Sequence, residues 1–268
     1  MTTNRLSHMH DGFALPLVLW LIAILTVSIG LLALSSSNRH LESATLSDRV
    51  AAEAAARAGI AYANLRLDPR LGTQRWAPDG QPHVWSYDEY ELTIVIRDEW
   101  GKFDLNAGDP EVLRALMQLA EIAPDQMSAV LDGLGAMRTA RLSRQDGVTA
   151  TNEVPTRLFT VASLTQLPGV SGETLARLAS ELTVYSGRGL PDATLADARM
   201  RAALVAAGKA AGTPVGSANG SGLYQIEAMA RRAERPAGQV QVVEQWTPRY
   251  DGGIDTRWLA WGHGRWQQ

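Results

Sequence analysis

The chain has 268 residues, 46% of them hydrophobic and 20% charged, the ordinary balance of a folded protein with room for one large domain or two small ones. Its net charge of -3 argues against a general affinity for nucleic acid or anionic lipid, both of which require an excess of Lys and Arg. There is no Cys, which excludes disulfides, thiolate metal sites and a Cys nucleophile.

The first element is the uncharged run Phe13–Leu34, FALPLVLWLIAILTVSIGLLAL. As a helix it would span about 33 Å, close to the hydrocarbon thickness of a bilayer. A secretory signal peptide and an ordinary signal anchor are the plainer readings. The run exceeds the apolar region of a secretory peptide, and the polar sequence after it reads as continuing helix rather than a cleavage site. Arg5, His8 and His10 precede the run, with Asp11 offsetting Arg5, so a weak positive-inside bias puts the N-terminus in the cytoplasm. Pro16 lies in the first turn, where its missing N–H costs little.

From Asn38 to Leu67 small and apolar residues recur at Leu41, Ala44, Ala51, Ala55, Ala58, Tyr62 and Leu65. This mixed three-four spacing predicts an amphipathic helix seeking a surface, ended by Asp68-Pro69. Residues 68–90 read as loop. Tyr90–Arg97 alternates as a strand, Asp98–Gly101 reads as a turn, and Lys102–Leu105 as a second short strand. Asp109-Pro110 and Pro124-Asp125 each open a helix, the first through Ala120 and the second through about Met137. Arg138–Thr151 reads as loop. Thr160–Gln166 and Ser171–Leu182 are helical and flank Leu167-Pro168-Gly169-Val170. A short helix over Leu195–Ala207 lies within a Gly-, Ala- and Ser-rich stretch, 188–221, taken as a flexible linker. Strands follow at Gly222–Ala230, Val240–Trp246 and Arg257–Trp261.

Three features carry a family resemblance. Gly12-Phe13 stands at the junction of a polar leader and the apolar run, which resembles a type IV prepilin leader. Leu105-Asn106-Ala107, Leu167-Pro168-Gly169-Val170 and Thr183-Val184-Tyr185-Ser186 occur in an order and spacing similar to the K-type minor pseudopilins of type II secretion (GspK). Leu17 occupies the fifth position after Gly12, where pilin-like proteins carry Glu. The resemblance implies cleavage by a prepilin peptidase between Gly12 and Phe13, N-methylation of Phe13, and assembly through the helix that holds Pro16 and Leu17. A carboxylate in lipid is kept only where it is paired. The missing Glu therefore suits a subunit with nothing stacked above it.

The resemblance further implies an α+β fold: a long N-terminal transmembrane helix packed on an antiparallel sheet, with a large all-helical insertion. The division expected is a leader at 1–12, a transmembrane half at 13–34 and an amphipathic half at 35–67. A pilin-like head would comprise 68–104 and 222–268, with the helical insertion at 105–187. The implied partners are the I- and J-type minor pseudopilins, the inner-membrane secretion platform, the prepilin peptidase and the membrane. The bulk of the chain would be periplasmic on a single inner-membrane pass.

Two alternatives stay open. One is a minor pilin of a type IV pilus or competence system. The other is a membrane-anchored helix-hairpin-helix protein, since Leu-Pro-Gly-Val also resembles the nucleic-acid module of that name, whose turn presents N–H groups to phosphate. From Asp104 to Gly187 there are ten acidic residues against six Arg and no Lys, and only Arg138, Arg141 and Arg144 cluster. The expectation is therefore no nucleic-acid binding.

No catalytic motif is recognisable, and no cofactor is required on this reading. Calcium is conceivable at Asp251 and Asp255 in the Asp-Gly-Gly-Ile-Asp turn, because members of the family it resembles hold calcium in the head, although a plain turn is the favoured reading. Asp98, Glu99 and Asp104 form a weaker candidate. His83 and His263 are isolated, and Trp246, Trp258, Trp261 and Trp266 read as packing residues or a partner surface.

Overall fold

The computed structural model describes residues 14–145, 156–209, 220–233, 237–251 and 253–263, with α1 side chains described for 16–29 and from 46 onward. The chain divides into two units, residues 1–50 and 51–268. Helix α1 (Ala14–Leu67) continues through both.

In the first unit every described apolar side chain of α1 from Leu17 to Ile29 is exposed. Among the described residues, no helix is long and apolar enough to cross a membrane. The expected cleavage pair, Gly12 and Phe13, lies outside the described residues, as do the side chains of Gly30–Leu34 within the expected span.

The second unit holds two hydrophobic cores. The first lies between residues 51–67 of α1 and a five-stranded antiparallel sheet in the order β1-β2-β5-β6-β7. These strands are β1 (Asp79–Tyr87), β2 (Tyr90–Asp98), β5 (Leu223–Arg231), β6 (Gly238–Pro248) and β7 (Ile254–His263). In β2 the side chains of Leu92, Ile94 and Ile96 are all buried while their neighbours are more open, the period-two pattern of a strand with one buried face. The helix buries Ala52, Ala55, Ala56, Ile60, Ala63 and Leu67 against them.

That stripe is rotated from the expected one. Of the residues read as its apolar face, Ala55 is buried, but Ala51 and Leu65 are exposed. Close approach explains the choice of small residues. A Cβ on Gly59 would lie 2.7 Å from Leu92 Cδ2 and one on Gly238 2.2 Å from the Ala52 carbonyl carbon. The docking face is thus selected by the lack of side-chain bulk, not by hydrophobicity alone.

The second core belongs to an insertion between β2 and β5, which are neighbours in the sheet; it is mainly helical, not all-helical as expected. A short parallel pair, β3 (Phe103–Asp104) with β4 (Leu182–Thr183), runs at its base. The helices are α2 (Pro110–Leu119), α3 (Pro124–Gln145), α4 (Gly172–Leu178) and α5 (Ala198–Ala206). Asp109 caps α2 and Ser171 caps α4 by accepting from the backbone N–H groups of Glu111 and Thr174, as the sequence predicts. Val112, Leu113 and Leu116 of α2 are buried with Val130, Leu134 and Met137 of α3.

Four expectations are corrected. Residues 79–87 form β1, not loop; the hairpin joins β1 to β2 through Asp88, at φ 53°, and Glu89. Phe103–Asp104 pairs with Leu182–Thr183 and not with β2, so Asp98–Gly101 is a 3-10 turn into the insertion rather than a hairpin. Helix α3 extends to Gln145 through the stretch read as loop, since residues 138–145 hold no Gly or Pro and polarity alone does not stop a helix. The stretch read as linker from 188 is packed at least to α5, whose Met200, Ala203 and Leu204 enter the insertion core. Its small residues reflect tight packing there. The later linker positions 210–219 lie outside the described residues.

Candidate functional site

Two of the motifs singled out in the sequence, Leu-Asn-Ala and Thr-Val-Tyr-Ser, meet at the base of the insertion, and the third is held separately by α3. Asp104 is fully buried, and its Oδ1 accepts from the backbone N–H groups of Asn106 (2.8 Å) and Ala107 (3.0 Å). Its Oδ2 accepts from Gly187 N–H (2.7 Å) and from Ser186 Oγ (3.1 Å). Asn106 and Leu158 bond reciprocally: the carboxamide donates to the Leu158 carbonyl (3.0 Å) and accepts from its N–H (2.8 Å). One carboxylate and one carboxamide thus tie Leu-Asn-Ala at 105–107 to Thr-Val-Tyr-Ser at 183–186 and to the segment entering the 3-10 turn at Val161–Gln166.

The Leu-Pro-Gly-Val turn is clasped from α3. Gln126 donates to the Gly169 carbonyl (3.0 Å) and accepts from the Ser171 N–H (2.9 Å) and the Thr174 hydroxyl (3.1 Å). The Val170 N–H is spent on the Leu167 carbonyl.

Where insertion meets sheet, Lys102 and Glu99 form a buried ion pair at 2.5 Å. Lys102 also donates to Gln225 on β5, and the Thr183 hydroxyl donates to Glu99. Both charges are therefore paired and hydrogen-bonded, the condition for keeping them out of water. Glu99, Lys102 and Gln225 line a cavity of about 60 Å³ with Val161, Leu175, Tyr185, Gln241 and Val243. Burial, with Glu99 beside it, pushes the Tyr185 phenol up. Burial likewise raises Asp98, against the lowering effect of the Ser221 hydroxyl and N–H that it accepts.

Asp98, Glu99 and Asp104, which looked like a loose calcium set, are each saturated by different protein donors. Asp251 and Asp255 are both approached by Arg249, at 3.1 and 3.4 Å, and all three side chains are more than half exposed. A guanidinium already offsets the two carboxylates a calcium ion would need. Among the described residues no group of three or more His, Cys, Asp or Glu is placed to hold a metal. His83 stacks on Trp76 at 4.0 Å, and burial lowers its basicity. Trp246 meets Tyr224 edge-on and Trp258 lies against Trp261. Trp266 lies outside the described residues, as does the His263 side chain.

The remaining candidate is the apolar face of α1. Pro16 is exposed, Leu17 is 62% exposed and Trp20 69%. A helix whose apolar side chains point outward all round is built to be covered by other apolar matter.

Sequence reasoning passed over Lys102, Gln126, Ser221, Asn64 and Glu244. Only Glu244 left a signal. Val240, Val242 and Glu244 share one face of a strand by period two, so a carboxylate was written into an inward position.

The fold is pseudopilin-like. No protein-family model matches the chain, and no curated protein does. Among solved structures, it is similar to a chain of the GspK-GspI-GspJ complex from the Type 2 Secretion System of enterotoxigenic Escherichia coli. The two share 12% sequence identity with a TM-score of 0.51, over 86% of this chain and 99% of the other.

Proposed function

We propose that this chain is a minor pseudopilin of type II secretion, acting as a structural subunit at the filament tip. The likeness of fold over 86% of its length carries the reading. The motif order Leu-Asn-Ala, Leu-Pro-Gly-Val, Thr-Val-Tyr-Ser supports it, the first and last being joined through Asp104. On this reading the peptidase cuts after Gly12, and the exposed apolar helix packs among like helices in the inner membrane. Leu17 replaces the carboxylate that would receive the amine of a subunit above. The helical insertion adds bulk to the head and blocks further stacking. I- and J-type minor pseudopilins are the partners, and the complex starts assembly and then caps the filament. The Val170 and Ser171 N–H groups of the turn are already spent on Leu167 and Gln126, which favours packing over nucleic-acid binding there.

Mass spectrometry of the mature N-terminus tests the leader: N-methylated Phe13 is expected, and Gly12→Ala blocks processing. Copurification tests the assignment: I- and J-type subunits are expected to accompany the full chain. Recovery with type IV pilus or competence components instead would overturn the type II assignment, and an intact Met1 would overturn both pilin readings.

A further inference from the structure

Glu244 lies in the apolar seam between α1 and the sheet with no solvent exposure. Three uncharged donors reach it: Trp246 Nε1 at 2.8 Å from Oε1, Asn64 Nδ2 at 3.2 Å from Oε2, and the Trp258 indole. Tyr224 faces it across the β5–β6 ladder. The α1 residue at its carboxyl is uncharged, as are its cross-strand partners Tyr224 on β5 and Trp258 on β7, while Arg257, the next residue on β7, pairs with Gln245 and is exposed. The nearby cations are engaged elsewhere, with Arg57 over the Trp261 ring and Arg75 on the Leu67 carbonyl and the Tyr224 hydroxyl.

A carboxylate in such a place is costly without a cation, and the group neutralises itself instead. A second observation points the same way. The carboxamide Oδ1 of Asn64 is buried and has no donor, and an ionised Glu244 has none to give. A protonated carboxyl has one, and its O–H can meet Oδ1 while Nδ2 keeps its carboxyl partner. Acid and amide then satisfy each other.

We propose that Glu244 is held as a neutral acid at neutral pH, clasping α1 to β6 through Asn64, and that alkaline pH loosens this clasp by removing the proton. Burial raises the Glu244 carboxyl. A carboxyl raised in the folded state contributes stability that is complete below its unfolded value, about 4.3, and lost as pH rises through the folded value.

The test uses the full chain, wild type and Glu244→Gln. Gln is nearly isosteric, stays neutral, and can donate to a turned-over Asn64 carboxamide. The expected Tm values agree within a few degrees at pH 5, with the variant gaining on the wild type as pH rises towards 9. In infrared spectra of the wild type at pH 7, a protonated-carboxyl carbonyl stretch is expected that the variant lacks. This measurement does not depend on the variant's stability, since the band can also be followed by titrating the wild type alone. A wild-type spectrum without that band at pH 7 would overturn the proposal. So would a variant that melts below the wild type by a margin independent of pH.

Discussion

Gly238 on β6 and Ala52 on α1 meet backbone to backbone: a Cβ on the glycine would fall 2.2 Å from the Ala52 carbonyl carbon and 2.3 Å from its oxygen. No rotamer relieves that contact, because both sides are main chain. Gly238→Ala therefore forces helix and sheet apart, at a cost near the upper end of overpacking, about 3 kcal/mol. For a unit of this size that is a fall in Tm of roughly 6–12 °C. Gly135 is the control, since it is an exposed position in α3 with nothing within 4 Å of its virtual Cβ. Gly135→Ala is expected to raise stability by about 0.5–1 kcal/mol through helix propensity. Thermal melts of the two variants should move in opposite directions.

Asp104 gathers four donors from two stretches of sequence, 106–107 and 186–187. Asp104→Ala leaves the backbone N–H groups of Asn106, Ala107 and Gly187 without the carboxylate they share, each costing up to about 1–3 kcal/mol. The expected loss exceeds about 3 kcal/mol and is concentrated in the insertion. Hydrogen exchange should show lost protection around 105–107 and 183–187 while β2 and β5 stay protected. Uniform loss across the sheet would mean that the two cores do not unfold separately.

The elements that were legible in the sequence share a local signature. Asp109-Pro110, Ser171 and the alternation of Tyr90–Arg97 each state their structure within a few residues. What escaped depends on partners far along the chain. The edge strand β1 carries Pro82 and two glycine-or-proline neighbours that read as loop, yet it pairs along β2 from Arg97 to Tyr90. The docking face of α1 was misplaced because Gly59 and the alanines score weakly as apolar, while their value lies in the space they leave for Leu92 and Ile94. The carboxylates drew attention as a metal set because sequence shows charge but not donors. Asp98 and Ser221 are 123 positions apart, and Asp104 and Gly187 are 83.

Asp109 offers a pH-resolved test of a single cap. Its carboxyl is held below the ordinary range first by the Glu111 N–H it accepts and then by Lys209. A lowered carboxyl stabilises the fold above its unfolded value, about 3.9, and that contribution vanishes as pH falls through the folded value. Asp109→Ala is expected to cost about 1 kcal/mol at pH 7, read as a lower denaturation midpoint. The gap between wild type and variant should shrink below pH 4. A gap that stays constant down to pH 2 would show that the charge plays no part in the cap.

Leu17 is the position at which the proposed tip role can be tested. If no subunit docks above, the position needs only to be apolar, so Leu17→Ala should leave copurification with partner subunits within about twofold. Leu17→Glu places a carboxylate in an apolar span with no amine to pair it, at about 2.5–3.5 kcal/mol by insertion scales. Recovery of the partner complex from membranes should then fall by roughly 100-fold, since each 1.4 kcal/mol is a factor of ten. If the Glu variant instead recovered as much partner as the wild type, or recruited an additional subunit, an amine from above would have to be reaching position 17. The tip assignment would then fail, while the pseudopilin-like fold would stand.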